Sequence, residues 1–323
     1  MKPAIVVTGS LNMDFVVQTD HLPAPGETVL GREFRMIPGG KGANQACAAG
    51  KLASTSIVRM VGRVGYDIFA DQLRASLAAA NVDVSAVLGT HNQPTGVALI
   101  EVESSGQNNI VVASGANFAI TPADIEGNRA TFRGARCALF QLETPLSTVE
   151  AALTVARSEG ALTILDPAPA QPLSRDILEK VDLLTPNESE ACLLLGRATQ
   201  DIAPEDAPSI AKALRALGAK AVIMKLGAAG CHYQDAERDL YSPGFPVQPV
   251  DTTAAGDTFN AALAVALTEE QPLEAALRFA NAAAAISVTR AGAQSSIPTR
   301  AETDQFTHSG NAPPTGGKRP TAG

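Results

Sequence analysis

The run Asp251-Thr252-Thr253-Ala254-Ala255-Gly256-Asp257-Thr258-Phe259-Asn260 sets two carboxylates on either side of small residues, just ahead of the apolar stretch Ala261 to Leu267. Pro243, Pro246 and Pro249 precede it, so an extended segment is expected to turn sharply into a helix. Alanine and glycine at 254 to 256 leave the first-turn N–H groups uncovered, and the helix dipole adds to their attraction for phosphate. Asp257, at the same mouth, can accept the proton of a hydroxyl that attacks phosphorus. A first-turn or N-cap acid would account for Asp257 alone. It has no use for the small residues before it.

A second stretch, Pro38-Gly39-Gly40-Lys41-Gly42-Ala43-Asn44-Gln45-Ala46, puts glycines around one lysine ahead of an Ala-rich helix, which permits close backbone approach. It is not a Walker A loop, because GxxxxGK[ST] is absent. Asn12 and Asp14 bracket Met13 in a polar loop, where an extended backbone would point both the same way toward vicinal hydroxyls; an Asx turn is the plainer alternative. Glu143 stands at a strand end, and Asn187 and Glu190 share one face at a helix start, as phosphate-side residues or as a capping box. Gly227 and Gly230, following Lys225, can let a nucleotide lie against the backbone.

Positioning these groups falls to alternating strands and helices. Strands are expected at Ala4 to Val7, Ile57 to Val61, Ala138 to Leu142, Leu162 to Leu165, Leu183-Leu184 and Ala221 to Met224. Helices are expected over 68–80, where Asp67 can cap, over 147–158, and from Leu273 to Ile286. Such a βαβα series predicts an α/β fold: a three-layer, Rossmann-like, mostly parallel sheet covered by helices, with ligands at the carboxyl ends of strands. Two further segments, approximately 12–37 and 95–113, carry short strand and hairpin patterns that suit a small β lid. From His308 the composition turns to Ser, Gly, Asn and Pro, so residues 1–307 are expected to form the domain and 308–323 a disordered tail.

The 323 residues are 45% hydrophobic with a formal net charge of −8, which disfavours a nucleic-acid or anionic-membrane binder. No apolar run is long enough to span a bilayer and the start lacks signal-peptide features, so a cytoplasmic location is expected. Cys47, Cys137, Cys192 and Cys231 are widely separated, the pattern of buried reduced thiols.

The segments DTTAAGDTFNAALAVAL and GGKGANQA resemble the two signature motifs of the ribokinase family of sugar and nucleoside kinases. The resemblance runs from residue 4 to about 306. It implies ATP-dependent phosphorylation of D-ribose at O5, giving D-ribose 5-phosphate, with Mg2+ as cofactor, K+ as activator and a homodimer formed through the β lid. Asp257 would be the base, and Ala254, Ala255 and Gly256 the anion hole. Asn12, Asp14, Gly40, Lys41, Asn44 and Glu143 would bind sugar polar groups, with Ala98 and Ile110 as apolar contacts. Asn187, Lys225, Gly227, Gly230 and Asn281 would bind nucleotide, and Glu190 would reach Mg2+ through water. Asp251, Thr253, Val288, Ala291, Gly292 and Ser296 would supply oxygens to the monovalent cation. One departure stands out: Lys225 occupies a position where the family pattern usually has Thr. The alternatives are a related kinase acting on fructose, another pentose or a nucleoside, whose bulky base would need space beside Ala98 and Ile110, and an idle sugar-binding regulator, which could retain Asn12 and Asp14 but need not retain Asp257 and its anion hole. A dinucleotide oxidoreductase is disfavoured because the early strand lacks GxGxxG.

Overall fold

The computed structural model describes residues 2–103, 107–199 and 202–308. In chain order the strands are β1 (Ala4–Thr8), β2 (Asn12–Thr19), β3 (Glu33–Gly39), β4 (Ile57–Val64), β5 (Val82–Gly89), β6 (Gly96–Glu103), β7 (Asn108–Ala113), β8 (Ala135–Phe140), β9 (Leu162–Leu165), β10 (Leu183–Leu184), β11 (Ala221–Lys225), β12 (Gly230–Gln234) and β13 (Asp239–Pro243). The helices are α1 (Lys41–Leu52), α2 (Ile68–Ala79), α3 (Pro122–Gly127), α4 (Leu146–Ser158), α5 (Arg175–Leu178), α6 (Glu188–Leu194), α7 (Ala207–Ala216), α8 (Ala255–Thr268), α9 (Leu273–Ser287) and α10 (Arg300–His308).

Nine strands form one sheet in the order β13-β12-β11-β10-β9-β8-β1-β4-β5. It is parallel from β11 through β5, while β12 and β13 add antiparallel edges. The central strand β1 is buried along its whole length because both of its faces are covered. Its alternation divides the core: Ile5 and Val7 pack with α1, α2, α8 and α9, whereas Val6 packs with α3 to α7. Three layers result, as the βαβα pattern requires. Helix α8 is apolar nearly all round and lies deep in the first layer, buried from Asp257 to Ala266. Cys47, Cys137, Cys192 and Cys231 are all free and buried. Burial pushes the Cys47 and Cys137 thiols up to about 11 and that of Cys231 up to about 12.

A separate four-stranded sheet runs β3-β2-β6-β7, with β2 and β6 parallel and the outer pairs antiparallel. Here the structure corrects the sequence reading: Asn12 and Asp14 lie on β2 rather than in a loop. Their shared direction survives, because alternate residues of a strand face one side. In the expected lid segment of approximately 12–37, the strands are Asn12–Thr19 and Glu33–Gly39. The edge strands β12 and β13 were not anticipated, and His308, expected in the tail, ends α10. The rest of the expected tail lies outside the described residues, as do Ser104, Ser105 and Gly106 of the expected hairpin loop. No described helix is long and apolar enough to cross a membrane.

Candidate active site

Helix α1 begins where three chain segments meet. Gly40, its N-cap, has φ 86, and a Cβ there would come within 2.7 Å of the Asn12 backbone nitrogen. Glycine therefore lets α1 start directly against the head of β2. Glu143, beyond β8, accepts the Lys41 N–H at 3.1 Å and the Ser10 hydroxyl at 2.5 Å on one oxygen. It thus caps α1 electrostatically. Glu143→Ala is expected to destabilise the ligand-free protein by about 1–2 kcal/mol, measured by urea unfolding, because it strands these donors. Glu143→Gln, which keeps an acceptor, should recover most of this loss. An unchanged unfolding midpoint for the alanine variant would restrict Glu143 to a ligand-contact role.

The second and third turns of the site come from side chains that face Asp257. Asn44 Nδ2 donates to Asp257 Oδ2 at 3.1 Å, and Gln45 Nε2 donates to Asp257 Oδ1 at 3.0 Å. The same Gln45 nitrogen lies 3.1 Å from Asp166 Oδ2, and Gln141 Nε2 fixes Gln45 through its Oε1 at 2.6 Å. Asp257 is 6% exposed; burial raises its carboxyl to about 6, against the lowering effect of Lys41 and with a further rise from Asp166. Asp14, 8% exposed, is pushed up to about 7 by burial and by the Glu143 and Asp257 carboxylates. Burial works against the Lys41 ammonium, but Asp257, Glu143, Asp166 and Glu190 outweigh it and raise Lys41 above the ordinary lysine range.

Ala254 precedes α8 in the left-handed region, with φ 59 and ψ 12, and turns the first N–H groups outward. The Ala255 N–H bonds Thr252 O at 3.2 Å, while those of Ala254 and Gly256 carry no hydrogen bond among the described residues. Two of the three expected anion-hole donors are thus unpaired among the described residues. They open on a cavity of about 350 Å³ lined also by Lys41, Asp166, Asn187, Glu190, Lys225 and Asp257. A neighbouring cavity of about 560 Å³ is lined by Gly230, Phe245, Asn281 and Val288, and shares Lys225, Gly227, Thr252, Ala255 and Gly256 with the first. Its largely apolar walls and size suit a planar heterocycle.

Several expected residues already have structural partners. Asn187 and Glu190 form a capping box: Glu190 N–H donates to Asn187 Oδ1 and Asn187 N–H to Glu190 Oε2, both at 2.8 Å. Burial raises the Glu190 carboxyl, with Lys225 opposing. Asn281 Nδ2 donates to Ser242 O and Oγ, each at 3.1 Å. Gly230, with φ 99, is packed under the Ser242 carbonyl, whereas nothing stands within 4 Å of a Cβ on Gly227. Gly227 is the glycine with room beside it.

Asp251, beyond the anion-hole turn, accepts Thr253 N–H at 2.9 Å and Gly292 N–H at 2.8 Å. Although burial raises its carboxyl, these bonds hold it below the usual range. Val288 O receives Val250 N–H and Asp251 N–H, Ala291 O receives the Ser295 hydroxyl, and Ser296 is fully buried. These bonds bring Asp251, Thr253, Val288 and Gly292 together, while the bonds of Ala291 and Ser296 run within their own loop. No cluster of three His, Cys, Asp or Glu residues of metal-holding geometry occurs among the described residues.

On the small sheet, Ala98 pairs with Asp14 and is 4% exposed, while Ile110 on β7 is 54% exposed. Asn117, absent from the sequence expectations, grips the Leu11 backbone through its N–H and C=O and donates to Asn12 Oδ1 at 2.7 Å. The Asn12 amide is thereby oriented with its own donor end free to meet a ligand.

Residues 2–300 match the model of the pfkB family of carbohydrate kinases. The chain is 43% identical over 302 residues to a ribokinase of Bacillus subtilis, covering 94% of this chain and 98% of that protein. It is 41% identical over 306 residues to a ribokinase of Haemophilus influenzae, covering 95% and 99%. The solved structure of Arabidopsis thaliana ribokinase complexed with ribose and ATP superposes with a TM-score of 0.86 at 34% identity, covering 95% of this chain and 99% of that one. A Thermotoga maritima ribokinase structure gives 0.84 at 39%, with the same coverage. By motif, fold and relatives together, the chain belongs to the pfkB family of carbohydrate kinases, the ribokinase family of the sequence reading.

Proposed function

We propose that the protein transfers the γ-phosphoryl group of ATP to O5 of D-ribose. The observation that carries this reading is the placement of Asp257: a buried carboxylate in the first turn of α8, held by Asn44 and Gln45 and lining the smaller cavity beside the unpaired Ala254 and Gly256 N–H groups. Ribose would lie against Asn12, Asp14, Gly40, Lys41, Asn44 and Glu143, with Ala98 and Ile110 on its apolar side. ATP would fill the larger cavity along Gly227, Gly230 and Asn281, its phosphates passing Asn187 and Lys225. Asp257 accepts the O5 proton as the oxygen attacks, and the Ala254 and Gly256 N–H groups, joined by Ala255, receive the charge that develops on the transferring group.

Glu190, both of whose oxygens serve the α6 cap, would hold Mg2+ through water, and the ion would supply positive charge to the nucleotide phosphates. K+ would occupy the oxygen-rich loops at Asp251, Thr253, Val288, Ala291, Gly292 and Ser296, adding positive charge behind the anion hole. The small sheet would close as a lid over the sugar and exclude water from competing as acceptor. Phe34, Met36, Leu99 and Val111 are each at least half exposed on that sheet, which supports a homodimer made through it in a cytoplasmic enzyme.

The test is ATP consumption and product identity with ribose, fructose, deoxyribose and adenosine supplied separately, with Mg2+ and with or without K+. Preferential ribose 5-phosphate formation supports the assignment. Preference for another acceptor replaces the substrate and keeps the mechanism, and the absence of sugar-dependent transfer under every condition removes the kinase reading.

A further inference from the structure

Lys225 ends β11 with a side chain 12% exposed, and its Nζ lies 2.8 Å from Oδ1 of Asp166, whose side chain is 4% exposed. Such a dry ion pair adds little stability, because removing both charges from water costs about as much as their attraction returns. Its position is the informative feature. Lys225 lines both cavities, and a Cβ on Gly256 would come 3.3 Å from its Nζ, so the ammonium rests against the first turn of α8. A cation is unfavourable at that end of a helix, where the backbone N–H groups already carry positive charge. Asp166 offsets this, and its other oxygen is anchored by Gln45. An ammonium has three donors, and Asp166 takes one. Two donors are left at the junction, where the Glu190 and Asp257 carboxylates also act on the ammonium.

We propose that Lys225, positioned by Asp166, is a built-in phosphate-binding cation at the junction of the two cavities, neutralising nucleotide polyphosphate there without the help of a divalent ion. The inference rests on the nucleotide reading above. It also gives the departure from threonine at this position a function, since a hydroxyl could donate a hydrogen bond there but could not supply charge. Lys225 contacts the ligand directly; Asp166 and Gln45 act through it and set its place.

Calorimetric titration of ADP in EDTA, with adenosine as the phosphate-free control, tests the assignment. Lys225→Met is expected to weaken metal-free ADP binding about 10- to 100-fold, the loss of a charge-assisted contact, and to leave adenosine affinity within about twofold. Asp166→Asn, which keeps the ammonium and removes its competitor, should bind metal-free ADP at least as tightly as the parent. Should Lys225→Met alone fail to fold around an unpaired carboxylate, Asp166→Asn combined with Lys225→Met removes both charges at similar volume and should show the same loss. Parent-like ADP affinity in EDTA for either lysine variant overturns the proposal, as does an equal loss for adenosine. A parent protein that binds neither ADP nor adenosine, with or without Mg2+, overturns the nucleotide reading itself and this inference with it.

Discussion

Asp257→Ala is expected to lower kcat by about 10²- to 10⁴-fold while leaving nucleotide affinity within a few-fold of the parent, because in the proposed mechanism the removed group acts on the proton of the acceptor. Asp257→Asn should lose as much, although it fits the space between Asn44 and Gln45, since an amide cannot take the proton. Steady-state turnover and equilibrium binding, measured on the same preparations, separate the two effects. A variant retaining more than a tenth of parental kcat would remove Asp257 from the role of base.

The same substitution carries a stability signature with a defined sign. The folded protein keeps a proton on Asp257 up to about pH 6, whereas the unfolded chain releases it near the ordinary value of 3.8. The raised carboxyl therefore favours folding at low pH, and this contribution is lost as pH rises from about 4 to 6. Asp257→Asn should gain stability relative to the parent across that window, by on the order of 2 kcal/mol, and hold a constant advantage above it. Activity runs the other way: kcat/KM should fall as pH drops through an apparent value between about 6 and 7, which belongs jointly to Asp257 and Asp14.

Gly42→Ala should be nearly as damaging although residue 42 offers no chemistry. A Cβ there would fall 2.6 Å from Gly9 C and from Ser10 N, both backbone atoms with no rotamer to yield. Helix α1 must then withdraw from the loop after β1, carrying with it the Lys41 contact to Glu143 and the Asn44 and Gln45 contacts to Asp257. Destabilisation of about 1–3 kcal/mol is expected from the overpacking. A shift of about 1 Å in Asp257 and its partners should cost roughly 10²-fold in kcat/KM. Chemical denaturation together with kinetics on the fraction that remains folded checks both, and parental values in each would mean that α1 tolerates the displacement.

What could be foreseen followed locality. Asp257 was legible because small residues ahead of an acid at a helix start form a pattern within a few positions, and the capping box of Asn187 and Glu190 is equally local. Gln45 lies inside a recognised motif, yet its two carboxylate partners are 121 and 212 positions away, and no spacing rule announces them. Asn117 is likewise invisible until the fold brings it 105 positions back to Asn12. Asn12 and Asp14 were placed in a loop because strand pairing on both sides of β2 is a tertiary gain that their polar neighbours hide. The left-handed turn at 254 has no glycine to mark it. His308 was misassigned because packing rather than composition sets the end of α10, where Phe306 lies against Phe245.

The depth of α8 has a consequence for how the protein comes into being. This helix supplies both the innermost packing of one core layer and the carboxylate at the centre of the site, yet it enters late in the chain, more than 200 positions after the α1 residues it meets. During synthesis, strands and helices up to α7 emerge with one of their two cores still lacking its centre. Neither the first layer nor the site can close until α8 leaves the ribosome. Acquisition of activity and acquisition of a protease-resistant core should therefore be a single late event, and a chain released before α8 would be caught by quality control before it could act as a weaker enzyme.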